Sequence, residues 1–543
     1  RRDQGVVNLA NPTATAEART PMSRVVIAAS LGTVFEYYDF MLYGSLAGFF
    51  GTLFFPPGNT TAALLGSLAT FGAGFAIRPI GALLFGRLGD RVGRKRTFLI
   101  TITLMGLSTA LMGLLPTFEQ IGWGAPILLV TLRLVQGLAL GGEFGGAAIY
   151  IAEHCPANRR GYYTSWIQTT GTMGLVASLV VVLLCRAWLD DAAFREWGWR
   201  IPFLVSILLL GLSLYVRARL QESPMFVQAK ARGDLSNAPI SESFLTGTHR
   251  RSFISAIVVA AAMALTWYTA QFYSLVFMQT ALQFDFSTAA MLAGLAMTIG
   301  IPMFVGAGAL SDRIGRKPVI LAGMLLSTLV VMPAYRGLQA IGHPAMAQSA
   351  AATTIVVHAA PAQFSPFSTA PPDAAAAARD FFAQRGISYS NEPPLAGAPL
   401  VVRIGAQELA GFDRPALLAA LANTGFPTAP SLRVITSPFD LDRSHWLLLG
   451  LILSMIAGAA LTCGPGAALL AESFPTRVRY TSLSFPYHLT SAWFGGFMPL
   501  TATWLVARSG DIFAGLVYPI TVTATCFVLC LFLLRETHHL QMD

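Results

Sequence analysis

Glu36, Asp39 and Tyr43 stand at i, i+3 and i+7 near the middle of an apolar run at 24–54, so a helix puts two carboxylates and a phenol on one face. If that run crosses a membrane, carboxylates at its middle are costly and mark function by default. The chemistry open to them is proton or substrate coupling, because a carboxyl group in a low-dielectric site can bind and release a proton. The plainer alternative is a structural ion pair with an Arg of a neighbouring helix. Arg78, in Ile77-Arg78-Pro79 of the next run, must face a cavity or a carboxylate, or else snorkel to the membrane surface. In the run at 125–153, Arg133, Gln136 and Glu143 share a second polar face at i, i+3 and i+10. Gly137, Gly141 and Gly145 recur every four residues there, with Gly142 and Gly146 alongside, which reads as close helix packing rather than ligand contact.

The later part of the chain offers a different chemistry. Its apolar runs hold Trp267, Tyr268, Gln271 and Tyr273, then Tyr487, His488 and Trp493, with almost no charge. Aromatics at helical spacing are usually packing or an interface belt. Tyr268, Gln271 and His488 are the candidates for ligand contact, and Trp267 with Tyr268 could cage a quaternary ammonium. Gly464-Pro465-Gly466 should weaken its helix, a bend useful for gating. Charge in one part and polar aromatics in the other suggest a proton and charge relay facing a substrate site that the second part completes. The five Cys are scattered and show neither metal-ligand spacing nor a disulfide framework, and no cofactor motif occurs.

The elements that must position these residues follow from composition. Of 543 residues 54% are hydrophobic and 12% charged, about half the charge of a soluble protein. The apolar runs are continuous rather than alternating, which excludes a β-barrel. The expected fold is an all-α polytopic membrane protein of 12 transmembrane helices. They lie near 24–54, 61–86, 97–116, 125–153, 162–188, 200–217, 252–280, 287–310, 317–336, 445–471, 480–507 and 512–535, here called segments 1 to 12. Arg and Lys collect in the loops after even-numbered segments, which places both termini in the cytoplasm. The net charge of +9 is therefore topology and not nucleic-acid binding. A tail at 1–22 precedes a six-helix half at 23–217, a cytoplasmic linker follows at 218–251, and a tail at 536–543 closes the chain.

Two repeats measure the second half. Gly86-Arg87-Leu88-Gly89-Asp90-Arg91-Val92-Gly93-Arg94-Lys95 returns as Gly308-Ala309-Leu310-Ser311-Asp312-Arg313-Ile314-Gly315-Arg316-Lys317, 222 positions on. Ala152-Glu153-His154-Cys155-Pro156 returns as Ala471-Glu472-Ser473-Phe474-Pro475, 319 positions on. The second half, segments 7–9 at 252–336 and 10–12 at 445–535, is therefore interrupted by about 97 extra residues. The insert at 337–444 should lie on the extracytoplasmic face. Strand-like 353–358, 387–390, 400–404 and 432–436 alternate with helices at 372–385 and 413–423, a β-α-β-β-α-β order that suggests a ferredoxin-like domain; a mostly coil linker is the alternative.

The repeated turns resemble the signature of the major facilitator superfamily. Gly32-Thr33-Val34-Phe35-Glu36-Tyr37-Tyr38-Asp39-Phe40, Arg78-Pro79-Ile80-Gly81, Arg133-x-x-Gln136-Gly137, Trp197-Gly198-Trp199-Arg200-Ile201-Pro202-Phe203 and Phe474-Pro475-Thr476-Arg477-Val478-Arg479-Tyr480 look like its metabolite:proton symporters, carriers of shikimate, 2-oxoglutarate, citrate and proline or betaine. The resemblance implies a bacterial inner-membrane protein, not an enzyme, importing a small metabolite with protons by alternating access. It implies contacts at Asp90 and Arg94 that close the cytoplasmic side, and proton coupling at Arg133; the expected cytoplasmic gate is Gly86, Asp90, Arg91, Arg94, Asp312, Arg313 and Arg316, and Asp39, Glu36 and Glu143 are the further proton-coupling candidates. Tyr43, Arg78, Gln136, Trp267, Tyr268, Gln271 and His488 are the expected substrate contacts. The substrate expected is an organic anion, with a zwitterion or a transporter-like sensor as alternatives, and the expected state is a monomer in the bilayer. The usual span-5 motif of proton antiporters is missing. The outer insert departs from the family pattern.

Overall fold

The computed structural model describes residues 22–92, 94–141, 144–218, 250–361, 373–427, 432–435, 437, 439–475 and 479–540. Helix occupies every one of the twelve apolar segments. Segment 1 is Met22–Ser45 continued by Ala47–Phe54, and segment 2 is Thr60–Ala76 continued by Arg78–Val92. Segments 3 to 6 are Arg94–Met112, Gly124–Leu140 with Phe144–His154, Arg160–Trp188, and Arg200–Ala218. Segments 7 to 9 are Arg250–Thr280, Phe286–Ile314 and Arg316–Gly342, and segment 12 is Val517–Leu533. Among the described residues eight helices are long and apolar enough to cross a membrane, and nine if the pair bent by 53° at the start of segment 6 counts as one. In lipid a helix satisfies its own backbone, so apolar runs of this length have few other folds available.

Segments 7, 10 and 11 depart from regular α-helix. Segment 10 breaks between Cys463 and Gly466, at the expected Gly-Pro-Gly. Segments 7 and 11 each contain a π turn, Tyr268–Tyr273 and Ser491–Gly496. Such turns widen the helix and re-aim its side chains. In the second repeated turn, Gly315 joins segments 8 and 9 at φ +101°, a conformation that only glycine adopts readily.

The insert is a small α/β unit with its own apolar core, built on Val357, Phe381, Phe382, Val402, Leu417 and Leu421. It begins later than expected, because segment 9 stays helical to Gly342 and a further helix, Pro344–Ala352, follows. Strands β1 (Ile355–Ala359), β2 (Ser390–Glu392), β3 (Leu400–Ile404) and β4 (Gln407–Ala410) form a sheet of order β2-β1-β3-β4. β1 runs parallel to β2 and antiparallel to β3, and β3 turns back into β4 through Gly405 at φ +58°. Helices Ala374–Ala383 and Arg414–Asn423 complete it.

The expected ferredoxin-like order is thereby corrected to β-α-β-β-β-α. The strand expected at 432–436 does not form over 432–435, because the bundle takes its backbone groups. The Ile435 N–H donates to Thr288 Oγ1 of segment 8 at 3.1 Å, and the Arg433 carbonyl lies 3.1 Å from His445 Nε2 of segment 10. The unexpected β4 is polar and largely exposed, an edge strand without the apolar alternation that would announce it.

Candidate functional site

Segments 1, 2 and 4 bring two guanidinium groups to the middle of the bundle. The Arg78 guanidinium lies 3.7 Å from the centroid of the Phe75 ring and 4.2 Å from that of Phe40. The Arg133 guanidinium also lies 4.2 Å from the Phe40 centroid, and 4.6 Å from Tyr43. Both side chains are buried, at 2% and 0% exposure. Arg133 donates to the Phe40 carbonyl at 3.2 Å and to Gln136 Oε1. Gln136 Nε2 then donates to the Asp39 carbonyl at 3.0 Å and to Thr109 Oγ1 at 2.7 Å. The i, i+3 face of Arg133 and Gln136 is thus assembled as expected.

Glycine makes this approach achievable. A Cβ on Gly137 would sit 1.8 Å from the Gly74 carbonyl oxygen, and one on Gly141 would sit 2.2 Å from that of Arg78. Segments 2 and 4 therefore touch backbone to backbone, and the stripe read as packing is packing.

The guanidinium groups are only partly satisfied. Nε and Nη2 of Arg78, and Nε and Nη2 of Arg133, have no acceptor among the described residues. The second half closes over them. Tyr268 meets Phe75 edge to face at 5.5 Å, with Trp267 4.8 Å beyond. Tyr37 and Tyr487 bring their hydroxyls within 3.5 Å of each other across the two halves. Tyr37, Tyr268, Tyr487 and His488 all lie within electrostatic reach of Arg78. His488 is buried with both ring nitrogens unpartnered among the described residues. Thr172 of segment 5 joins the halves at the same level. It donates to Gln271 Oε1 at 2.8 Å and accepts from Trp267 Nε1 at 3.3 Å.

The structure brings Tyr43, Arg78, Arg133, Gln136, Trp267 and Tyr268 close together, with Gln271 and His488 on the facing half. Asp39 and Tyr43 share an arc of segment 1 but face different neighbours. Asp39 accepts from Ser206 of segment 6, whereas Tyr43 donates to the Ser67 carbonyl of segment 2 at 3.0 Å. Among the described residues Asp39 has no ion-pair partner, so the structural ion pair weighed for it is not found. Glu36 is buried nearby. Trp493, at 59% exposure, lies outside the site, and Tyr273 packs on Tyr335. Glu143 lies outside the described residues. Thr172, Tyr37 and Ser206 were not expected, since a hydroxyl in an apolar helix carries no sequence signal of its partner.

The end of the bundle that carries the repeated turns is closed by charge. Asp312 accepts the backbone N–H groups of Gly161 and Tyr162, both at 2.8 Å, at the start of segment 5. That places a carboxylate at a helix N-terminus in the opposite half. Arg316 pairs with Asp312 at 2.6 Å and with Glu472 at 3.1 Å, and Arg160 pairs with Glu472 at 3.0 Å. Arg479 pairs with Glu153 at 3.1 Å, which explains the Glu of the second repeat. Arg313 is exposed, with no ion pair among the described residues. The surroundings of Gly86 and the side chains of Asp90, Arg91 and Arg94 lie outside what the structure describes. At the other end Phe71 of segment 2 stacks on Phe272 of segment 7 at 4.9 Å.

Comparison with known proteins agrees with this architecture. Residues 29–381 match the family model described as Major Facilitator Superfamily. The chain is 39% identical to the shikimate transporter of Escherichia coli K12 over 323 residues, 58% of this chain and 73% of that one. It is 33% identical to the inner membrane metabolite transport protein YhjE of the same organism over 532 residues, 95% of each. It is 36% identical to the proline/betaine transporter of that organism, over 58% of this chain and 64% of the relative. Among solved structures, the proton:xylose symporter XylE with a bromo-deoxyglucose covers 95% of this chain and 96% of its own, with a TM-score of 0.61 and 16% identity, a likeness of fold. These relatives are transporters and not enzymes. The chain is a multi-pass membrane protein and belongs to the major facilitator superfamily.

Proposed function

We propose that this protein imports a small organic anion together with protons by alternating access of a twelve-helix bundle, with both termini cytoplasmic and the insert outside. The observation that carries the substrate class is the pair of buried guanidinium groups whose Nε and Nη2 donors find no acceptor among the described residues. Unpaired buried donors cost about 1–3 kcal/mol each, more when charged, and a bound carboxylate would recover that cost. Arg78 and Arg133 would hold the anion, with Tyr268, Gln271 and His488 on the facing half. Asp39 is the candidate proton carrier. It is buried with no ion-pair partner among the described residues, so a proton is a neutralising partner open to it. Relatives named for shikimate, alpha-ketoglutarate and proline or betaine support a metabolite carrier and leave the substrate open.

Uptake into proteoliposomes under an imposed pH gradient, over a panel of carboxylates and zwitterions, tests this. Arg78→Gln should abolish binding of the preferred carboxylate, and Asp39→Asn should abolish accumulation while sparing exchange. Uptake indifferent to the gradient would sink the coupling. Preference for betaine, lost on Trp267→Ala rather than on Arg78→Gln, would replace the anion with a zwitterion.

A further inference from the structure

The insert is fastened to both halves of the bundle, and the two fastenings differ in kind. Its ties to the second half are many. Besides its covalent joins to segments 9 and 10, the Ile435 N–H donates to Thr288 of segment 8. A Cβ on Gly386, itself at φ +63°, would sit 1.9 Å from the Ala281 carbonyl oxygen at the end of segment 7. At the end of segment 11 the Tyr389 N–H donates to the Gly510 carbonyl at 3.0 Å, and Asn391 Nδ2 donates to the carbonyls of Arg508 and Ser509 at 3.1 and 3.2 Å.

Its ties to the first half are concentrated in one place. Asp380 accepts from Thr61 N–H at 3.1 Å, from Thr61 Oγ1 at 2.5 Å and from Thr60 Oγ1 at 2.8 Å. Gln384 adds a bond to Thr60 Oγ1 at 2.5 Å. Among the described residues, the hydrogen bonds from the insert to the first half run through these two side chains. The carboxylate sits at the N-terminus of segment 2, where a negative charge is favoured.

The two grips are mechanically connected. Arg379, next to Asp380 on helix Ala374–Ala383 and 4% exposed, donates from Nε to Asn391 Oδ1 at 2.9 Å. This orients the Asn391 amide toward the end of segment 11. Adjacent residues of one short helix thus hold segment 2 directly and segment 11 through Asn391.

We propose that the insert is a clasp across the end of the transporter opposite the repeated turns, with Asp380 as the positioning residue that holds that end shut and must release segment 2 for it to open. The proposal rests on the alternating-access reading. The insert stays with the second half throughout the cycle, and the Asp380–Thr60–Thr61 contact is made and broken. Removing the clasp favours the state open at the insert end.

The test is spin-label distance measurement on the full chain in nanodiscs, with Pro57→Cys and Ser509→Cys labelled on either side of the contact. All five native cysteines are buried. Asp380→Ala should raise the ratio of open to closed distances roughly tenfold, as expected for losing charge-assisted hydrogen bonds. Thr61→Val, which lies outside the insert and leaves its core intact, should shift the ratio the same way by a smaller factor. Asp380→Asn, which keeps an acceptor, should fall between parent and Asp380→Ala. If Asp380→Ala and Thr61→Val both elute and melt as the parent does and keep its distances, the clasp is wrong. Parallel uptake assays separate the two ideas. Distances that shift in a protein whose uptake ignores the pH gradient leave the clasp standing and remove the symport. Gradient-driven uptake with unmoved distances does the reverse.

Discussion

The two ends of the bundle are shut by different physics. At the turn end, Arg160, Arg316, Asp312 and Glu472 are almost fully withdrawn from water and hold the halves through ion pairs. At the insert end the seal is the Phe71–Phe272 stack and a carboxylate gripping a helix start from a partly exposed position. Removing one partner of a buried ion pair strands a charge, whereas a part-exposed hydrogen bond is partly replaced by water, so that its loss costs less. The insert end is therefore the easier of the two to open.

The comparison is broken most forcefully at Glu472, which accepts from Arg160, Arg316 and Thr537. Glu472→Ala takes from buried Arg160 its carboxylate and leaves Arg316 with Asp312 as its remaining ion-pair partner. It should cost about 3–5 kcal/mol of turn-end closure, read as a lower melting temperature and a separation of labels across that end. Closure unchanged in that variant would mean the ion pairs are incidental. Next comes the crossing of segments 5 and 8, where a Cβ on Gly308 would sit 2.4 Å from the Gly161 carbonyl oxygen. Gly308→Val should cost about 1–3 kcal/mol by overpacking, measured by thermal melting, and should leave the insert end undisturbed. Phe71→Leu sharpens the other side of the contrast. It keeps most of the buried volume and loses the stack on Phe272, worth about 0.5–1.5 kcal/mol, so labels at the insert end should separate while the turn end stays closed.

The smallest effect expected is a pH dependence at the tail that braces the turn end. Burial pushes the Glu536 carboxyl up, but the N–H groups of Arg316, His538, Lys317 and Thr537 outweigh it and hold the group below its ordinary value of 4.5. A depressed carboxylate stabilises the fold above its unfolded value and loses that contribution as pH falls through the folded one. Protection of the tail from proteolysis should accordingly weaken from about pH 4.5 downward, and Glu536→Gln should flatten that dependence.

Much of this was visible in the linear chain, for reasons that can be named. Arg78 and Arg133 announced themselves because a charge in an apolar run is costly and must have a use. The repeats located the insert because an interrupted period is a property of the sequence itself. The clasp left no such trace. Asp380 reads as one more acid on a polar helix, and Thr61 as an ordinary residue at a helix start, until folding brings them together from 319 positions apart. Thr172 and Ser206 were silent for the same reason. The strand expected at 432–436 failed because a local pattern was overruled by Thr288 and His445, residues of other elements competing for the same backbone.

The glycine contacts between segments 2 and 4 have a consequence for energetics rather than packing. Arg78 and Arg133 ride on two helices joined backbone to backbone, so their separation does not change as one half rocks against the other. On the proposed reading the cationic cradle offers the same charge to a ligand arriving from either side. A cradle of that kind has no built-in preference of direction. The direction of net flow would be set by the combined gradients of proton and metabolite and not by this cradle.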